Sequence, residues 1–596
     1  MKKLLLLTLC FLMGIIMLNA QNNIDFDGEI ASDVVWDSNI DTVKIIGDVF
    51  IDTVGTLTIE SGVVIEFQGT YRIDVEGSIE ATGTESNPVI FTVSDTTGFS
   101  SYSHDGWEGI DFENTDVAAE ASVFEFCEFY YAYDSYGGAL DVGDVNNLRI
   151  SDCTFKYNYA DSYGGAIFFE DASDVIISDC TFKYNYADSY GGAIHTKNTI
   201  LKIEDCLFEE NYANGYGGAL NIAGSGDDAT EVELLNNTFL KNYTTDRGGA
   251  LRLVAEKGSY IANNIFEYNI AEYMGGAIFV GGDEDSTIFI NNFIANNTSG
   301  TETSSGSGGG GIRTSGSCTP VFINNIIVNN TSFERGGGFL SGYDSAPMLI
   351  NCVIANNKSE DSGGGLFVSC DYDYDVYIHN SIIYSNEDLS DDADQVYISY
   401  VGDPTVHFYN CNIEGDTTDM YLDSGDKDDI VYLNNINETP VFANATSGAG
   451  SDYETSPEDW MLEESAPCID AGDITDLSFW IPTYDYFGND RVIGDAIDIG
   501  AHEFEADAGT GIADANISNE SSLKIYPNPA SEIVYIEASA NKYQIIEIID
   551  ITGKVLIYDY IMNEKEQINV SALHNGLYFV KVSNQSDSKV KRLVIE

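Results

Sequence analysis

Basic residues are scarce in this sequence. Over 596 residues, 26 Lys and Arg stand against 97 Asp and Glu, a formal charge of -71. Phosphate contacts need clustered Lys and Arg, so direct binding of nucleic acid is excluded, as is a polybasic grip on an anionic membrane. Long apolar runs are also missing. Only Leu4 to Leu18 is continuous, short of the ~20 residues a membrane span needs, and no later segment comes close. Helical periodicity is absent, which excludes the common helical repeats. The six histidines (His104, His195, His379, His407, His502, His574) show no metal or triad spacing. There is no CxxC pair, nucleophile elbow or phosphate loop.

What is present is periodic. A Gly-Gly step followed by a small and then an apolar residue begins at Gly137, Gly164, Gly191, Gly217, Gly248, Gly275, Gly309, Gly336 and Gly363. Ser151 to Ile167 repeats identically as Ser178 to Ile194, as a recent duplication would leave it. In phase with the glycines, Cys127, Cys153, Cys180, Cys206, Asn237, Asn264, Asn292, Asn325, Cys352, Asn380 and Cys411 share one position. Five residues on comes Asn158, Asn185, Asn211, Asn242, Asn269, Asn297, Asn330 and Asn357. Between the glycines lie short alternating strands and turns, as in Leu148 to Phe169. Short strands every ~27 residues without helices predict a parallel β-helix, one coil per repeat, with coils ~4.8 Å apart. Like then stacks on like. Buried Asn bonds along its column, Gly pairs turn tight corners, and Cys is a small buried residue.

The sequence divides into 1–20, a signal peptide; 21–115, an N-terminal cap and first coils; 116–445, the repeat coils; 446–507, a closing segment; 508–522, a linker; and 523–596, a small β-sandwich. The last part carries 8 basic and 9 acidic residues, whereas 21–522 carries 16 and 88.

Two resemblances sharpen this. Leu57-Thr58-Ile59-Glu60-Ser61-Gly62-Val63, Gly77-Ser78-Ile79 and Trp107-Glu108-Gly109-Ile110 are similar to the opening coils of secreted bacterial right-handed parallel β-helix proteins. The Gly-Gly repeats resemble polymorphic-outer-membrane-protein coils. Ser465 to Gly472 and Asp498 to Glu503, with Asp490 and Arg491, resemble the closing segment of such surface proteins and are read as a structural turn network. Tyr526-Pro527-Asn528-Pro529, Ile549 to Lys554 with Gly553, and Asn575 to Val582 with Gly576 resemble the type A sorting domain of the type IX secretion system. That resemblance implies a Bacteroidetes-type host, the type IX machinery as partner, and an extracellular or cell-surface location. The expected fold is thus all-β: a right-handed parallel β-helix followed by a small C-terminal β-sandwich sorting domain.

Two surface features are candidate sites. Tyr136, Tyr163, Tyr190 and Tyr216 should form one vertical stripe, and Tyr159, Tyr186 and Tyr212 another. Stacked rings either tile the surface or offer a contact face for sugars or protein. Asp134, Asp161 and Asp188 should stand above one another, either solvated or bridged by calcium. The leading expectation is an acidic, surface-displayed rod that binds glycans or neighbouring cell surfaces without catalysis. The alternative is a carbohydrate-active enzyme, a polysaccharide lyase or glycoside hydrolase, on the same fold.

Overall fold

The computed structural model describes residues 22–505 and 524–595, except 96–105, 113–120, 225–229, 255–257, 283–286, 302–307, 343, 372–374, 391–393, 402–404, 424–429, 476, 478–479, 527–529, 531–532, 538–544, 551–554, 561–564, 572, 574–575 and 584–587. The signal peptide, the linker, Pro527, Asn528, Pro529 and Gly553 therefore lie outside the described residues. Two compact units divide between Ala506 and Asp507.

The first unit is a right-handed parallel β-helix. One coil runs Arg149–Ser151, Thr154–Lys156, Tyr159–Tyr163 and Ile167–Glu170, and each strand pairs in parallel with its counterparts one coil away. The rod therefore has four faces. The first is a 15-stranded sheet and the third a 10-stranded one. The second and fourth merge because Thr42–Ile51 pairs with Val64–Phe67 at one end and with Ile73–Val75 at the other.

The corners explain the repeat. Each needs a left-handed residue, supplied in one coil by Asp152 (φ 53°), Tyr157 (φ 60°) and Gly164 (φ 65°). The second glycine of the pair has a different role. A Cβ on Gly165 would fall 2.2 Å from the carbonyl oxygen of Gly192 on the next coil. Inside, Phe91, Phe129, Phe155, Phe182, Phe208, Phe239 and Phe266 form one stack with centroids 4.6 to 4.9 Å apart. The amide of Asn185 donates to the Phe155 carbonyl (2.9 Å) and to Asn211 Oδ1 (3.0 Å), and the pattern repeats up to Asn386, whose amide donates to Gln395 Oε1 at 2.8 Å. Cysteine fills the companion column without an amide: the Cys153 N–H donates to Cys180 Sγ (3.4 Å) and the Cys153 thiol to the Ser151 carbonyl (3.1 Å). The eight cysteines whose side chains are described are buried, and no two of them are bridged. Asn380 does not belong to this column. Ser381 takes the place, accepting the Cys352 N–H at 3.0 Å, while Asn380 is the left-handed corner residue beside it (φ 46°).

Residues 441–505 fold back along the outside of the first and second faces as a strap. Trp460, Leu462, Ala466, Cys468, Ile499 and Ala501 bury Phe293, Ala295, Ile326, Val328, Val353 and Ile382. Leu477, Trp480 and Ile481 cover Val321, Ile323 and Ile350. These outward positions carry Thr154 and Lys156 in an uncovered coil and become apolar where the strap lies. The corners change with them. Asn296, Asn329, Asn351, Asn356 and Asn380 donate side-chain amides to strap oxygens, including the carbonyls of Ser451, Asp498 and Asp473. An aspartate at those corners could not donate.

The second unit holds a three-stranded antiparallel sheet (Lys524–Tyr526, Ile533–Glu537, Lys565–Asn569) and a four-stranded one (Val555–Tyr560, Ile545–Asp550, Gly576–Ser583, Ser588–Ile595) around one apolar core. Tyr526 ends its first strand and Gly576 opens the long strand beside Ser588–Ile595.

Candidate functional site

Both tyrosine stripes form, and they differ in exposure. Tyr159 (3% exposed) and Tyr186 (8%) are buried, with Tyr186 and Tyr212 stacked at 4.8 Å. That stripe is a wall of the rod. Tyr136 is 41% exposed, and Tyr163, Tyr190 and Tyr216 are half-buried, with rings 4.6 to 5.5 Å apart. A third stripe, Tyr131, Tyr157 and Tyr184, was not singled out from the sequence. Its rings are 5.5 and 5.2 Å apart, with Lys156 4.9 Å from the Tyr157 ring. Its signal lay in the Lys-Tyr pair repeated within the duplicated segment.

The aspartate column forms only in part. Asp161 and Asp188 follow the in-register pair Ala160 and Ala187, but a register shift leaves Asp134 opposite Ala160. The cause is the coil from Tyr133 to Gly137, one residue shorter than the next. Asp161 accepts the Tyr133 hydroxyl at 2.6 Å, and Asp188 accepts that of Tyr159. Burial pushes the Asp134 carboxyl up to about 6, with Glu108 adding to the rise and the Ser135 N–H opposing it. Among the described residues, no three or more metal-ligating side chains are gathered into one site.

The exposed stripe borders a groove of about 570 Å³ on the fourth face. Its floor follows from the register: Asp111, Asp141, Phe168 and His195 occupy one outward column on successive strands. Phe168 stacks on His195 at 5.4 Å and lies 5.4 Å from the Tyr136 ring. Glu170, ion-paired with Lys197, closes the far rim. Asn221 donates to His195 Nδ1 at 2.6 Å, which puts the ring proton on Nε2. Burial, helped by Arg252, lowers the His195 pKa to about 3. Arg252 in turn lies 4.5 Å from the Tyr216 ring and donates to Asn221 Oδ1 at 3.0 Å. The groove thus offers aromatic faces, a neutral imidazole and two carboxylates on adjacent rungs.

The strap's polar cluster is different in kind. Arg491 and Glu503 pair at 2.7 Å with side-chain exposures of 1% and 0%. Asp485, Asp498 and Asp470 accept backbone N–H groups of Phe487, Phe504 and Asp495. Burial pushes Glu503 up to about 7 against the pull of the Ile493 N–H and Arg491. These carboxylates hold turns.

A second cluster joins residues that looked scattered. On the first face, Tyr377 lies beside His407 and His379 beside Tyr409, with ring centroids 4.4 and 5.0 Å apart. The faint signal was Tyr377-Ile378-His379 followed 30 residues later by His407-Phe408-Tyr409, visible only once the register is known.

A right handed beta helix region model matches residues 77–266, and a secretion system C-terminal sorting domain model matches 524–596. The chain is a parallel β-helix protein with a C-terminal type IX secretion sorting domain. That domain implies handling by the type IX machinery and a secreted or cell-surface destination. No helix among the described residues is long and apolar enough to cross a membrane. No curated protein matches the chain. Among solved structures, a periplasmic alginate epimerase is 14% identical at a TM-score of 0.29, covering 56% of this chain and 75% of its own. A PL6 family polysaccharide lyase from Pseudopedobacter saltans is 11% identical at 0.29, covering 68% and 95%. PfbA, a surface adhesin of Streptococcus pneumoniae, is 12% identical at 0.27, covering 68% and 85%. Likenesses this distant carry no functional argument.

Proposed function

We propose that this protein is an exported rod that binds glycan chains through the groove on its fourth face, as an adhesive rather than a catalyst. The observation that supports this most is the half-exposed column Tyr136, Tyr163 and Tyr190 beside a groove floored by Phe168. Aromatic faces supply large contact area at little entropic cost, and Asp111, Asp141 and Glu170 supply acceptors for sugar hydroxyls. Catalysis is less well served. Glu170 is tied to Lys197, and His195 is held neutral and hydrogen-bonded to Asn221. A glycan array of the mature chain tests the reading. Wild type should bind a defined set of glycans, and the double variant Tyr136→Ala, Tyr163→Ala should lose at least tenfold in affinity. Equal binding by both would sink the assignment.

One observation favours a carbohydrate-active second reading: Asp111 and Asp141 stand in register on neighbouring strands within the groove. Release of reducing sugar or unsaturated product, abolished by Asp141→Asn, would select it.

A further inference from the structure

The strap and the first face enclose a cleft of about 480 Å³. It is lined by Met348, His379 and Tyr409 of the first face and Trp480 of the strap, with Asn410, Asp473 and Thr475 at the rim. The size suits a small-molecule site, and the lining combines apolar walls with a few convergent polar groups. Tyr409 is positioned by its neighbours: its hydroxyl lies 3.0 Å from His407 Nδ1, and His407 Nε2 lies 3.4 Å from Asp375 Oδ2. Tyr409 is thus anchored by the His407 ring beside the cleft. Thr475 donates to Asp473, which fixes the carboxylate at the rim.

We propose that this cleft is a binding site for one neutral pyranose ring at the end of a glycan chain. Four features carry the assignment. Aromatic rings come both from the first face (Tyr377, His379, Tyr409) and from the strap (Trp480), and they suit a ring with two apolar faces. The rim offers amide, hydroxyl and carboxylate groups, a mixed set of donors and acceptors that matches sugar hydroxyls. Among the described residues no Lys or Arg lines the cleft and Asp473 does, so an anionic sugar would meet uncompensated charge. The volume is large enough to take a single ring. This site is separate from the fourth-face groove and stands or falls without it.

The chain carries its own reporter. Of its four tryptophans, Trp36 (2% exposed), Trp107 (0%) and Trp460 (1%) are buried, leaving Trp480 to respond to a ligand in the cleft. The secreted chain should be titrated with methyl glucoside, methyl galactoside, N-acetylglucosamine, a neutral oligosaccharide and polygalacturonate, following tryptophan emission and ligand saturation-transfer NMR. At least one neutral single ring should give a saturable emission change. Tyr409→Phe, which removes only a hydroxyl, should weaken it roughly 5- to 30-fold (about 1–2 kcal/mol at 1.36 kcal/mol per tenfold), and Trp480→Phe should remove the emission response. Tyr136→Ala should leave the emission change intact. The proposal is overturned if no neutral ring shifts the emission, if only polymers bind, if polygalacturonate binds more tightly than the neutral sugars, or if Tyr409→Phe binds as wild type does.

Discussion

Asn269→Ala would test what holds the coils together. The side chain makes four hydrogen bonds: its amide donates to the Phe239 carbonyl (2.9 Å) and Asn297 Oδ1 (3.0 Å), and its Oδ1 accepts the Asn242 N–H and amide, both at 3.0 Å. Alanine keeps only the two backbone bonds, from its own N–H to Asn297 Oδ1 and from the Thr298 N–H to its carbonyl. Two backbone groups, the Asn242 N–H and the Phe239 carbonyl, lose a partner where water does not reach, since Asn269 is fully buried. At about 1–3 kcal/mol each, the substitution should cost about 2–6 kcal/mol, towards the lower end if a water fills the space. A long rod need not unfold in one step, so global melting is a poor gauge. Hydrogen exchange read coil by coil is better. Amides from Phe239 to Ala271 should exchange roughly 30-fold to 10⁴-fold faster, at 1.36 kcal/mol per tenfold. Asn263→Gly is the companion: Asn263 is an exposed left-handed corner (φ 57°), so the change should stay within about 0.5 kcal/mol. Acceleration below about threefold in Asn269→Ala, or equal effects of both substitutions, would refute the claim that the amide column carries the stability.

Gly165→Ala should prevent correct stacking of its coil, because the new Cβ would lie 2.2 Å from a backbone oxygen that cannot yield; soluble yield and far-ultraviolet dichroism compared with Gly143→Ala, whose nearest contact is 3.6 Å, check it. Arg491→Met strips the buried Glu503 of its partner and should loosen the strap by about 3–5 kcal/mol; proteinase K should then cut within 441–505, and an unchanged digestion pattern would contradict the pairing. His195 has its pKa lowered from 6.5 to about 3, so its contribution to stability is full above about 6.5 and declines as pH falls towards 3; an imidazole resonance titrating near 6.5 in the folded chain would disprove its burial. Calcium followed by chelator should leave the melting temperature unchanged, because tyrosine hydroxyls already bond Asp161 and Asp188; a rise with calcium would restore the bridged reading.

The coil was legible in the sequence because each of its parts leaves a periodic mark. The Gly-Gly step records a left-handed corner and a close approach, the Asn column records a buried amide chain, and the Phe column records a stack. Asn380 misled because asparagine serves both the corner and the column beside it. The same residue type satisfies two demands one position apart, and only the Cys352 to Ser381 bond separates them. The aspartate column is misleading because spacing from the glycines puts Asp134 in phase, whereas the coil before Gly137 is one residue short. The motifs of 446–507 set this segment apart from the coils, but they do not show its course along the first and second faces. It was written as a change of outward residues from Thr154 and Lys156 to Ile326 and Val328, in positions that look merely more hydrophobic until the faces are known. The two grooves could not be read at all, since each joins residues that only the coil register brings side by side.

The strap also divides the rod by how it can grow. Ser151 to Ile167 and its copy Ser178 to Ile194 lie in coils that the strap does not touch, where a whole extra coil adds one rung and disturbs only its two neighbours. From Ile265 onward the strap packs on five successive rungs, at Ile265, Phe293, Ile326, Val353 and Ile382, and ties them to fixed points along its own length. An inserted rung there would slide every later contact by ~4.8 Å, out of reach of its partner. Lineages of this protein should therefore differ in length before the strap and keep a constant number of coils beneath it.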